Sequence, residues 1–255
     1  MTLHTQEYGK GFPLIILHGL FGSSDNWHTL ARRFGEYFRV YTVDLRNHGR
    51  SPHDPTHTYE AMSEDLFEFL KVHSIEMAFI VGHSMGGKTA MQFAFDHPAL
   101  VPKLVVVDIG PKQYPPQHDS IFKALFSVDL KNTGSRGDVE AALARTIKSP
   151  VTRQFLMKNL KRTDHGFAWK LNLDAIHRSY DRMNMEITGK PFRNPALFLR
   201  SLTSGYVLEE DKPSIRALFP AARFADLNVG HWIHAEAPDK FFQVVLDFLR
   251  QTPYV

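Results

Sequence analysis

The 255-residue chain contains no cysteine, which excludes disulfides, thiolate metal sites and a cysteine nucleophile, and makes the reducing cytoplasm the expected compartment. It has no run of about 20 apolar residues, so no membrane span is expected. The N-terminal MTLHTQEYGKG has no charged stretch leading into an apolar one, so no secretory leader is expected either. Blocks of like charge are missing too. The formal net charge is +3, but the basic and acidic side chains are interleaved, unlike the clustered surface of a nucleic-acid-binding protein. There is no internal repeat and no low-complexity linker. What remains is ordinary globular composition, 43% hydrophobic, enough for one large domain or a core with an insertion. The sequence specifies no oligomeric state.

Apolar runs of strand length alternate with segments of helical period from the start, the pattern of a parallel α/β sheet. Strands are predicted at Phe12 to Leu17, Arg39 to Asp44, Met77 to Val81 and Leu104 to Asp108. Helices are predicted from a cap at Ser24 or Asp25 to about Phe38, from Tyr59 to His73 and from Thr89 to Asp96. After Pro111 the rhythm stops. Residues 112–190 read as helices only, with an apolar stripe at Ile121, Phe122, Leu125 and Phe126, and strand-like alternation returns at Ala196 to Leu202 and Ala222 to Leu227 before a closing helix Pro238 to Arg250. The expected organisation is a core from residues 1–111 and 191–255 with an all-helical cap from 112–190.

Residues 82–89, Gly-His-Ser-Met-Gly-Gly-Lys-Thr, satisfy two incompatible motifs. As G-x-S-x-G they form a strand-to-helix elbow that exposes Ser84 as a nucleophile. As G-x-x-x-x-G-K-S/T they form a phosphate-binding loop, with Lys88 on the outer phosphates and Thr89 on magnesium. Two other segments separate the readings. His18-Gly19-Leu20-Phe21-Gly22 ends the first buried strand, where a glycine turn can offer a backbone N–H, and Gly230-His231-Trp232 precedes the last helix. A hydrolase needs both, as half of an oxyanion hole and as the histidine loop. A phosphate loop needs neither. The order Ser84, Asp108, His231 is that of nucleophile, acid and histidine in α/β-hydrolases, and carboxyl ends of parallel strands are where ligand sites form.

On HGLFGSSDNW (18–27), DLRNHGRS (44–51), GHSMGGK (82–88), VVVDIGP (105–111) and GHWIHAEAP (230–238), the chain resembles the α/β-hydrolase fold superfamily, specifically small bacterial carboxylesterases with a mitochondrial acyl hydrolase among their animal relatives. The resemblance implies a serine carboxylic ester hydrolase working through an acyl-enzyme on a small-molecule ester with short- to medium-chain acyl group, without a cofactor. Thioester or carbon–carbon bond hydrolysis, or a receptor that retains the triad to sense a ligand, use the same frame. The family's acid usually follows the strand after the cap. Here Ser204 occupies that place, and the nearest acids are Glu209, Glu210 and Asp211, so Asp108, a position some relatives use, is the expected acid.

The residue-level expectations are these. Ser84 is the nucleophile, His231 the base with His234 as rival, and the amides of Leu20 and Met85 form the oxyanion hole, with Phe21 competing for the first position. His18 and Asp44 are structural and Lys88 is a helix residue. Phe21, Phe122, Phe126, Phe155, Trp169 and Trp232 are candidates for the substrate pocket, and the pairs His53/His57 and His231/His234 lack a third metal ligand. No metal is expected.

Overall fold

The computed structural model describes residues 1–251. In chain order the elements are β1 (Thr5–Tyr8), β2 (Pro13–Leu17), α1 (His28–Phe34), β3 (Arg39–Val43), α2 (Tyr59–Val72), β4 (Phe79–His83), α3 (Met85–Asp96) and β5 (Leu104–Val107). The insertion holds α4 (Asp119–Ser127), α5 (Arg136–Ala144), α6 (Pro150–Met157), β6 (Leu160–Thr163), β7 (Gly166–Trp169), α7 (Leu173–Arg178) and α8 (Tyr180–Asn184). The chain then returns through β8 (Ala196–Ser201), α9 (Lys212–Leu218), β9 (Ala222–Leu227), α10 (Ile233–Glu236) and α11 (Pro238–Arg250).

Seven strands form one sheet in the order β1-β3-β2-β4-β5-β8-β9. Only β1 runs antiparallel; the other neighbours are parallel. The central strands β2, β4 and β5 are buried on both faces, as continuous runs such as LIIL and LVVV require. One face packs on α2 and α3, through residues such as Met62, Leu66, Ala90 and Met91. The other packs on α1 and α11, where Phe241, Val245, Leu246 and Leu249 repeat at helical spacing. The C-terminal carbonyls of α11 are satisfied by a buried cation: Lys103 Nζ donates to the carbonyls of Phe248, Leu249 and Gln251 at 3.0, 2.8 and 2.8 Å, where the helix dipole favours positive charge.

Four sequence expectations need correction. The cap is not all helical: β6 and β7 form an antiparallel hairpin. Its Lys161, Arg162 and Thr163 are exposed, so the segment carries no apolar alternation to announce a strand. The elbow strand runs from Phe79 through His83, not from Met77 to Val81, because Gly82 and His83 still pair with Val106 and Val107 of β5. The helix expected from Ser24 to Phe38 is a 3-10 turn, Ser24–Trp27, capped by Ser23, followed by α1. And the polar TQEY of β1, which pairs at the sheet edge, was not expected as a strand.

Candidate active site

The register of the sheet brings the sequence motifs to one edge. Leu17 pairs with Gly82 and His83 with Val107, so β2, β4 and β5 end level, and HGLFG, Ser84 and Asp108 all emerge at their carboxyl ends. Ser84 has φ 51° and ψ −117°, a conformation costly for a residue with a Cβ. The turn is held by close backbone contacts: a Cβ on Gly82 would lie 2.2 Å from the Gly86 carbonyl oxygen, and one on Gly86 2.5 Å from that of Leu17. Glycine is therefore dictated at both flanks, which is why the motif has the form G-x-S-x-G.

Asp108 is fully buried and also has positive φ, 49°. Its Oδ1 accepts the backbone N–H of Ser201 at 2.9 Å, and its Oδ2 lies 2.8 Å from His231 Nδ1. A carboxylate only accepts, so Nδ1 carries the proton and Nε2 is left as the basic nitrogen. His231 is held on three further sides. Its carbonyl accepts from His83 Nε2 at 2.9 Å, its ring stacks on Tyr206 with centroids 4.0 Å apart, and the loop before it is tied down where the hydroxyls of Ser201 and Thr203 donate to the Val229 carbonyl.

The structure separates several rivals. His234 stacks on Trp27 at 4.1 Å, and burial pushes its pKa down to about 3; it does not meet Asp108. Glu209 pairs with Arg200 and Lys212, and Asp211 with Lys112. Ser204 donates its amide to Ser201 Oγ. The strand that usually supplies the acid thus supplies, through Ser201, the N–H that orients it. Phe21, at φ 60°, donates its N–H to His48 Nε2 at 3.3 Å, so its amide is spent and that of Leu20 is the one this turn can offer. Met85 begins α3 and has no carbonyl a turn back to receive its N–H.

The phosphate-loop reading does not survive the geometry. Thr89 is fully buried, its hydroxyl donating to the Met85 carbonyl at 3.0 Å, and Lys88 lies buried with its Nζ donating to the Met185 carbonyl. Neither is placed to meet a nucleotide. His18 bonds the backbone of Gly19 and Leu45, and Asp44 accepts the amides of Ser24 and Arg50. His53 bonds the Lys170 carbonyl and His57 the Asn47 amide. Among the described residues no three His, Asp or Glu side chains are grouped to hold a metal, and no helix is long and apolar enough to cross a membrane.

A cavity of about 460 Å³ opens over Ser84 and His231, between the core loops and the insertion. Of the pocket candidates, Phe21, Phe155 and Trp232 line it, the last two with ring centroids 5.6 Å apart. Phe122, Phe126 and Trp169 do not. Phe122 is buried in the insertion's own core, Trp169 packs there and donates to the Leu125 carbonyl, and Phe126 is 47% exposed beside His177. Helical period marks an apolar face but not which neighbour it meets. Sequence reasoning missed His83, Tyr206 and His118, the last of which lines the cavity with its Nδ1 2.6 Å from the Tyr180 hydroxyl. His83 sits inside the elbow motif and could have been found there; Tyr206 lies where a carboxylate was sought.

Comparison with known proteins places the chain in a family. Residues 13–144 match the family model described as alpha/beta hydrolase fold. The sn-1-specific diacylglycerol lipase ABHD11 of Mus musculus is 40% identical over 248 residues, covering 92% of this chain and 80% of that protein. Esterase YbfF of Escherichia coli is 34% identical over 246 residues, covering 96% and 95%. The solved structure of a marine microorganism esterase is 43% identical, with a TM-score of 0.94 over 96% of this chain and 98% of that one.

Proposed function

The chain belongs to the α/β-hydrolase fold family, and from that premise we propose that it is a serine carboxylic ester hydrolase acting through an acyl-enzyme on esters with a short- to medium-chain acyl group. The observation that carries this reading is the His231 Nδ1 to Asp108 Oδ2 pair at 2.8 Å, beside a strained elbow serine that shares its cavity. Ser84 Oγ attacks the ester carbonyl while His231 Nε2 takes its proton, and the oxyanion is held by the amides of Leu20 and Met85. The carbon–oxygen bond breaks as His231 returns the proton to the leaving alcohol. Water, deprotonated by the same histidine, then attacks the acyl-Ser84 ester and releases the acid. The reading is supported by relatives named as esterases and lipases at 34–43% identity. Thioesters are compatible with the same steps.

A fluorophosphonate tests it directly: the probe is expected to form one adduct, at Ser84, and to abolish hydrolysis of butyl esters in step with labelling. Labelling elsewhere with full retention of Ser84 and of activity would refute the assignment. The pocket makes a second, smaller prediction. Phe155 is partly buried on the cavity wall, and losing its aromatic contact with a bulky ester removes about 1–2 kcal/mol, so Phe155→Ala is expected to lower kcat/KM on bulky esters about tenfold while changing methyl esters less. Phe126→Ala, which opens no part of the cavity, should stay within about twofold on both. A larger effect at Phe126 than at Phe155 would overturn this assignment of the wall.

A further inference from the structure

Ser84 stands between two compartments of unlike size and chemistry. The large cavity includes His231; a second chamber of about 50 Å³ runs from Ser84 and Met85 to Lys88 under the insertion and does not. A chamber of that volume holds roughly three to five water-sized groups, which matches a short chain and excludes a long one. If the ester is cleaved as described above, His231 must reach the leaving oxygen to protonate it. The alcohol therefore occupies the large cavity, and the acyl group points into the small one.

The small chamber has buried hydrogen-bond donors to spare. Lys88 is 2% exposed. Its ammonium carries three N–H donors and donates to the Met185 carbonyl at 2.5 Å; the rings of Tyr114 and Tyr59 lie 5.1 and 5.8 Å away. Among the described residues no carboxylate is within ion-pair distance of it, and the one acidic charge that acts on it is that of Glu186. Burial pushes its pKa down only to about 8, so the charge persists at neutral pH. Asn184 Nδ2, also buried on this chamber, has no partner among the described residues. Two of the lining hydroxyls donate elsewhere, that of Tyr59 to the Met183 carbonyl at 3.0 Å and that of Tyr114 to the Tyr206 carbonyl at 2.8 Å. A buried ammonium with one neutral carbonyl for its three N–H donors and a buried amide with no partner are both under-satisfied, and the group that would serve both is an acceptor bearing negative charge.

We propose that the small chamber is an acyl subsite for a carboxylate, so that the enzyme hydrolyses half-esters of short dicarboxylic acids to the dicarboxylate and the alcohol; this rests on the ester-hydrolase reading. Lys88 and Asn184 receive the distal carboxylate while Ser84 attacks the ester carbonyl. Lys88 is then a specificity residue that the elbow motif hides, one helical turn beyond the nucleophile.

The test compares monobutyl succinate, butyl levulinate and butyl 4-methylpentanoate, whose acyl groups have equal numbers of non-hydrogen atoms and differ in ending as carboxylate, ketone or isopropyl. Wild-type kcat/KM is expected to be highest on the half-ester, at least about tenfold above the levulinate. Lys88→Met should cut that ratio about 100-fold, the range for a lost hydrogen bond to a charged group, and Asn184→Leu about tenfold. Should Lys88→Met not fold, the wild-type series and Asn184→Leu decide the matter alone. Equal rates on all three esters, or a ratio that neither variant moves, overturn the subsite while leaving the hydrolase reading in place. No turnover of any ester, with Ser84 unlabelled by fluorophosphonate, removes the hydrolase reading and the subsite together.

Discussion

Asp108→Asn is expected to lower kcat by ~10³-fold or more with the fold intact. The size of the effect follows from an asymmetry in how the carboxylate is held. Oδ1 accepts the Ser201 N–H and Oδ2 faces His231 Nδ1. An asparagine in the same place must turn its oxygen to Ser201, since an amide NH₂ cannot accept that N–H, and so presents its NH₂ to His231. Nδ1 is then forced to accept, the ring proton moves to Nε2, and the nitrogen facing the nucleophile is no longer a base. Side-chain volume and both hydrogen bonds are retained, so thermal unfolding should shift little. Ser84→Ala is expected to be at least as severe, because residues acting as a unit fail together. Glu209→Gln and Asp211→Asn remove only partners of Arg200, Lys212 and Lys112 and should change turnover by less than about tenfold, or 1.4 kcal/mol. A severe defect in either of these, with Asp108→Asn nearly normal under steady-state assay, would move the acid to the strand after the insertion and sink the assignment.

What could be read from the sequence was what a local constraint dictates. Gly82 and Gly86 are fixed by backbone contacts within a few residues of each other, and the buried strands by continuous apolar runs, so the elbow, the sheet and α11 were legible. The meeting of Asp108 with His231 could be anticipated because the strand before Asp108 pairs with the strand before Ser84, and loops at the carboxyl ends of neighbouring parallel strands converge. The insertion was not. Its residues face either one another or the cavity, and Phe122 and Phe155 carry the same side chain into different surroundings; only the packing of α4 and α6 decides between them. The hairpin β6–β7 was hidden because Lys161, Arg162 and Thr163 are all exposed. Lys88 was read as an ordinary helix residue, since burial of a lysine on α3 depends on Tyr59 and Tyr114 arriving from distant segments.

A second large effect follows from histidines that contribute no charge to the fold. His48, His57, His83 and His234 are buried, and burial holds all four below the ordinary histidine value, His57 and His234 at about 3 and the other two well below it. Neighbouring cations add to this at two of them, Arg46 beside His57 and Lys158 beside His234. Because the folded value lies below the unfolded one of about 6.5, the unfolded chain binds more protons as the pH falls. Stability is therefore complete above pH ~6.5 and is lost progressively below it. At pH 5.5 a histidine kept neutral by the fold costs on the order of 1 kcal/mol; His57 and His234 each contribute this, and His48 and His83 act in the same direction, so the loss is a sizeable share of a domain's stability. Carboxylates titrate mostly below pH 5, so the window between 6.5 and 5 belongs to the histidines. Urea unfolding at pH 7.5 and 5.5 should show this loss, and His234→Phe, which keeps a ring against Trp27 and removes one titrating group, should reduce the slope of stability against pH by about one proton. Equal stability at the two pH values would mean that these imidazoles are protonated in the fold and would refute the argument.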